Sequence, residues 1–400
     1  MVNEYFKLNN YGYTLEYYIF ELANFSVLAF LVLFLYKLKV INSNSLIAWV
    51  GLFFSPLLIN YFVISPWMFG DQFEYAGELM SLKTTGQSIE SIATNTTPGI
   101  WNPVTLTAKI LGLAPLVSWM TVTSVAFANK FFLFITFLWF KNFFDDENEV
   151  LLYFLVPSLV LYSALGLRDT LIMIASVVIL INLLRGKYLF ISVLMLYPLI
   201  YLKLQMFAFL SLYLVARIVF QAHRHQYLLI FFIASLVVGC LIFQNQIVDV
   251  LNLYRLAFAA EDFTYNENTS YRAFNVFGRD QIDPLFMPSI FHVGLTAILN
   301  LPALLLIPLP WNWSNIFYPI QSLESCLLIY LYYKIALRDQ LYKTTEFKLL
   351  TLILLIGLLV YAVIMSNEGT FVRYRFSLYY PFLLAVFYLS HHSDKALKNS

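Results

Sequence analysis

Hydrophobic residues run in long blocks along this chain, broken by short polar stretches rather than alternating with polar positions at a helical or strand period. A helix crossing the hydrocarbon of a bilayer needs about 20 apolar residues. By that measure the blocks predict about eleven spans, over residues 17–36, 45–64, 122–140, 150–165, 170–184, 188–202, 206–220, 227–243, 316–337, 347–365 and 371–389. Several fall short of full length, as helices do that end early or bend around a polar cavity. The fold class predicted is an all-α polytopic membrane protein, with the span count between about ten and thirteen.

Composition points the same way. Of 400 residues, 60% are hydrophobic and 12% charged, and the mean hydropathy is +0.74. A soluble core of this size has no room for so much apolar surface. The net charge of +1 gives no electrostatic footprint for nucleic acid. Cys240 and Cys326 lie inside apolar runs and read as buried thiols, neither a disulfide nor a metal pair. Residues 1–16 are polar and aromatic without a cleavage-site pattern, so the first apolar run is expected to be a retained helix.

Loop charges set the expected orientation. Lys37 and Lys39, Lys141, Arg185 and Lys187, Arg217 and Arg224, and Arg338 and Lys343 all face the cytoplasm if the N-terminus lies outside. Residues 65–121, 244–315 and the tip 366–370 then fall on the outer face of a single membrane domain, 1–400. Parity requires 101–120 and 287–309 each to cross zero times or twice. Both are therefore expected to be re-entrant or interfacial, and the second carries Pro288, Pro302 and Pro308, which fit a broken element. A single crossing by 287–309 would move Arg373 to the cytoplasm. The acidic run Asp145 to Glu149 reads as a solvated turn.

Charges at the edges of apolar blocks are the candidate chemistry, because a charge at mid-bilayer costs roughly 2.5 to 3.5 kcal/mol. Arg168 and Asp169 occupy an outer break between two blocks, and Glu368, Arg373, Tyr374 and Arg375 occupy another, where Gly369 and Thr370 are expected to form a tight turn. The guanidinium fork suits phosphate oxygens, so Arg168, Arg373 and Arg375 together are candidates to neutralise a diphosphate without a metal. Helix-end anchoring among headgroups is the alternative for each. Asp71 and Glu74, three residues apart near Tyr75, would share a helical face; one of them can serve as a general base, or both as first-turn acids of a helix. Glu324, about two turns into a predicted helix behind the interfacial Trp311 and Trp313, either pairs with a base or lines a cavity. Lys203 and Gln205 sit similarly between two short blocks. In the large outer segment Arg272, Arg279 and His292 stand among aromatic rings able to stack on sugar faces. His292 has no second His or Cys near it in sequence, so no metal site is predicted. No phosphate-binding glycine loop is present for a nucleotide, and no cofactor is expected.

Taken together, Asp71-x-x-x-Tyr75, the Ser163-x-x-Gly166-x-Arg168-Asp169 break, Pro310-Trp311-x-Trp313 ahead of Glu324, and Asn367-x-Gly369-Thr370-x-x-Arg373-Tyr374-Arg375 resemble bacterial polysaccharide repeat-unit polymerases of the Wzy type. The likeness is spread over nearly the whole chain and rests on sparse residues. It implies a GT-C-like architecture in the bacterial inner membrane, with the active site facing the periplasm. It also implies a glycosyltransferase that joins undecaprenyl-diphosphate-linked oligosaccharides into O-antigen, capsule or exopolysaccharide. The hydroxyl of one lipid-linked unit would attack the anomeric carbon of a chain held on another, and the lipid diphosphate would leave. Arg168, Arg373 and Arg375 would stabilise that leaving group, and Asp71, Glu324 or Glu368, in that order, would take the proton. Asp169, Glu74, Tyr75, Lys203, Gln205, Arg272, Arg279, His292 and Tyr374 are the candidate substrate contacts. Expected partners are the lipid-linked units, the bilayer, and the flippase and chain-length regulator of the same pathway. A GT-C glycosyltransferase, an O-antigen ligase using His292, and a lipid-linked-oligosaccharide flippase are the alternatives.

Overall fold

The computed structural model describes residues 15–63, 71–89, 102–186, 189–223, 238, 242–265, 287–306, 317–364 and 368–398. Among them every regular element is helical. The chain divides into two compact units, one of Met1–Ser176 with Leu194–Leu204 and one of Val177–Val193 with Gln205–Ser400. Four described helices are long and apolar enough to cross a membrane: Tyr18–Lys37, Ser43–Val63, Val122–Lys141 and Thr345–Ile364.

The first unit begins with α1 (Leu15–Lys37) and α2 (Ser43–Leu58), the latter running into a π turn, Ile59–Val63. Pro56 lies inside α2 and has no N–H for the carbonyl of Leu52. The Ser55 hydroxyl donates to that carbonyl instead, at 2.7 Å, and so the helix continues past its proline. Two short helices follow, α3 (Asp71–Thr84) and α4 (Pro103–Leu111). At about 1.5 Å per residue neither is long enough to cross a bilayer by itself. They pack on α5 (Val122–Lys141) through Phe73, Tyr75, Leu79, Ala108, Leu111 and Val125. The axis of the unit is α5, against which α1, α2, α3 and α4 all pack. Trp49 of α2 lies 4.9 Å from Phe134 and 5.4 Å from Phe137 of α5, ring to ring.

One predicted span is divided. Residues 150–165 form two pieces, α6 (Glu147–Phe154) and α7 (Pro157–Ser163), separated at Leu155-Val156 because Pro157 disfavours helical geometry in the residue before it. The acidic run is a helix start rather than a solvated turn. Asp146 caps α6 through the Asn148 N–H at 2.8 Å, and Glu147 bonds Lys141 at 2.8 Å. Asn42 and Asn44 both donate to the Asn148 side chain, and Lys141 reaches the Val40 carbonyl. The loops after α1 and α5 are thereby tied together at one end of the unit.

The division between units passes through α8 (Asp169–Arg185) and α9 (Leu189–Leu202), whose bounds lie close to those predicted. The second unit adds α10 (Leu204–His223), α11 (Gln244–Tyr265), α12 (Ile290–Leu306), α13 (Phe317–Leu337), α14 (Thr345–Ile364) and α15 (Glu368–Lys398). At its centre α14 contacts α11, α12 and α15. A Cβ on Gly357 of α14 would stand 2.8 Å from Leu378 of α15, so a glycine lets these helices approach. Helix ends here are closed by side chains. Arg255 donates to the carbonyl of Val363 and Asn300 to that of Ala362 at 3.1 Å, both at the end of α14.

Two expectations change. Gly369 and Thr370 lie in the first turn of α15, not in a tight turn between helices. Cys326 is exposed on α13 instead of buried. Apolar sequence in a membrane helix is satisfied by lipid as well as by protein, so hydropathy alone does not choose between them.

Candidate functional site at a buried helix break

The carbonyls at the end of α7 and the five residues that follow cannot continue a helical ladder, and they are buried. In a membrane protein such backbone survives only where protein supplies every hydrogen bond. Here four side chains on three elements supply such bonds. Lys130, fully buried on α5, donates to the Val160 carbonyl at 2.9 Å, the place where the negative end of a helix favours a cation. Asn60 of the π turn donates to Ala164 O at 2.9 Å. The side-chain amide of Asn129, one residue before Lys130, donates to both Leu165 O at 2.9 Å and Leu167 O at 2.8 Å. Gln72 of α3 accepts from the Gly166 N–H at 2.7 Å. A Cβ on Gly166 would stand 3.2 Å from Val125 Cβ and 3.4 Å from the same Gln72 oxygen, so a side chain here would press on Val125.

The break delivers Arg168, half-buried, and Asp169, 1% exposed, to the start of α8. Asp169 forms an ion pair with Lys203 at 3.4 Å, both side chains almost wholly buried, which ties the start of α8 to the end of α9. Asp71 and Glu74 occupy the first turn of α3, where acids are favoured, while the buried Gln72, Phe73 and Tyr75 dock the helix. Glu74 feels both Asp71 and Arg168. Burial around its carboxyl and then the Asp71 charge push its proton affinity above the ordinary carboxylate range, and Arg168 opposes them. Arg168, Asp71 and Glu74 therefore form one electrostatic neighbourhood, brought together across nearly a hundred residues of sequence. Tyr75 is 3% exposed and belongs to the apolar cluster beneath it.

The remaining candidates lie in the second unit. Arg375 is 6% exposed and donates through one nitrogen to Leu304 O at 3.1 Å and Leu305 O at 2.9 Å, closing the C-terminal end of α12. Arg373 is half-buried two residues earlier on α15, and so points to a different side of that helix. Tyr374 meets Tyr361 edge to face at 5.4 Å. Glu324 is 3% exposed on α13. Gln205 is the second residue of α10, and His292 on α12 has its Nδ1 2.8 Å from the Ser289 hydroxyl. Glu368 opens α15, while its side chain, together with Arg272, Arg279, Trp311 and Trp313, lies outside the described residues.

Sequence reasoning missed Asn60, Gln72, Asn129 and Lys130, which build the break. Lys130 and Asn129 carried a signal, being the polar pair inside the apolar run 122–140. Among the described residues no group of three or more His, Cys, Asp or Glu is placed to hold a metal ion. No protein family, no curated protein and no solved structure matches the chain.

Proposed function

We propose that this protein polymerises undecaprenyl-diphosphate-linked oligosaccharide repeat units at the outer face of a bacterial inner membrane. The observation that carries the reading is the helix break itself: buried amides hold a non-helical segment in place and present Arg168 beside two carboxyl groups. In the reaction, the acceptor sugar hydroxyl gives its proton to a carboxylate and its oxygen attacks the anomeric carbon. The bond from that carbon to the diphosphate breaks, and its electron pair stays on the leaving oxygen. Arg168 would stabilise the charge that develops there, a role whose loss commonly costs roughly 100- to 1000-fold in rate. Asp71 and Glu74 are the bases within its neighbourhood, and the raised proton affinity of Glu74 brings it closer to the working pH that general bases favour. The sparse sequence resemblance supplies the substrate class.

The test is a strain lacking the gene, complemented with Arg168→Ala and Arg168→Lys. Both variants are expected to lose long-chain polymer at unchanged protein abundance, since a lysine keeps the charge but not the two-pronged geometry. Single repeat units should then accumulate outside the cytoplasm. Polymer of normal length in Arg168→Ala refutes the leaving-group role, and units retained on the cytoplasmic side would point to a flippase.

A further inference from the structure

Glu21 is the sole acid in the span Tyr18–Lys37 and is 1% exposed. Its two carboxyl oxygens meet different hydroxyls: one bonds Thr123 at the start of α5, the other the phenol of Tyr61 in the π turn. From Thr123 the contacts continue. Its hydroxyl lies 2.9 Å from that of Thr121, which lies 2.9 Å from that of Ser124. Asn24, one turn along α1 from Glu21, donates to Ser124 at 3.4 Å and to Ser118 O at 2.8 Å, and accepts from the Val117 and Ser118 N–H groups. Every member of this network apart from Glu21 is neutral.

A carboxylate buried in an apolar span normally pairs with a cation, lines water or gives up its charge. Among the described residues, the titratable groups beside Glu21 on α1 and the π turn are Tyr61 and Tyr18, whose rings lie 5.3 Å apart. The lysines of the adjoining elements are directed elsewhere. Lys37 ends α1, Lys141 bonds Glu147, Lys130 bonds Val160, and Lys83 bonds Gly112 and lies over Trp119. Each carboxyl oxygen is in direct hydrogen-bond contact with a hydroxyl, a geometry that suits a shared proton.

We propose that Glu21 is an intramembrane proton-binding site, held as the neutral acid at neutral pH. The acid donates to one hydroxyl and accepts from the other. Loss of that proton leaves a buried anion between α1, the π turn and α5, and alkaline pH therefore loosens α1 from the unit.

Infrared spectroscopy of the full chain purified in detergent tests this. The carbonyl stretch of a protonated carboxyl, shifted in heavy water, is expected at neutral pH in the wild type. It should be lost in Glu21→Gln and displaced in Thr123→Val, which removes one hydrogen bond and leaves the acid. Thermal unfolding supplies a second readout: the wild type should lose stability as pH rises from neutral, and Glu21→Gln should not. Absence of the band from the wild type, its survival in Glu21→Gln, or an unmoved band in Thr123→Val overturns the proposal. So does loss of the band when sodium replaces choline at constant ionic strength, because a metal ion would then occupy the site. Should Glu21→Gln fail to fold, the Thr123→Val band decides alone.

Discussion

At the scale of single residues, the acids near Arg168 act on one another. Asp71 and Glu74 share the first turn of α3, and the proton affinity of Glu74 is raised by burial and by the Asp71 charge. If Glu74 is the base, activity is lost as acid pH protonates it, and that acid limb lies above the ordinary carboxylate range. Removing the Asp71 charge removes one of the two raising influences. Asp71→Asn is therefore expected to retain polymerisation with its acid limb moved to lower pH, measured as polymer formed from purified lipid-linked units across a pH series. Complete loss of activity in Asp71→Asn would instead make Asp71 the base. Arg375 shows the opposite kind of assignment. A charge that looked costly in sequence is accounted for by the two carbonyls it closes at the end of α12.

At the scale of elements, the break between α7 and α8 depends on donors from elsewhere in the chain. Asn129 serves two carbonyls and Asn60 one carbonyl of the break, and a buried carbonyl left without a donor costs about 1 to 3 kcal/mol. Asn129→Ala should accordingly lower the thermal stability of the purified protein more than Asn60→Ala does. Asn129→Asp, equal in shape but unable to donate when ionised, should be at least as damaging as the alanine. Equal melting of Asn129→Ala and wild type would show that the break does not need this amide. Much of the helical plan was legible in sequence: α8, α9, α13 and α14 begin and end within a few residues of the blocks that predicted them, because apolar length is a local property. Asn60, Gln72 and Asn129 were not legible as a set. Their bonds cross 36 to 104 positions of sequence, and nothing in the spacing of a lone asparagine tells which distant carbonyl it will meet. Glu21 and Lys130 stand out in sequence as ionisable groups within predicted spans, but the partners that satisfy them are distant and carry no local signal.

At the scale of the whole molecule, the first unit has two distinguishable ends. The loops containing Lys39 and Lys141 are tied at one, and the π turn, the start of α5 and the helix break lie toward the other, since α2 and α5 run between them. If the loops containing Lys39 and Lys141 face the cytoplasm, as the bias of basic residues predicts, the break and Asp71 are expected toward the outside. In a background with Cys240 and Cys326 changed to serine, a cysteine at the exposed Gln87 should react with a membrane-impermeant maleimide in intact cells. A cysteine at the exposed Asn44 should react only after permeabilisation. The reverse pattern would place Arg168 on the cytoplasmic side and remove the proposed function.

The π turn at Ile59–Val63 bears on how this protein can vary in length. Such a turn holds one residue more than the α-helix it interrupts. Its consecutive residues face different tasks, Asn60 bonding the break and Tyr61 bonding Glu21. Losing one codon here removes the wide turn and leaves an α-helix, in which successive residues stand about 100° apart. Asn60 and Tyr61 would then no longer share the wide turn that presents them to the break and to Glu21. A one-residue deletion in the π turn therefore acts on both contacts at once, whereas a substitution acts on one.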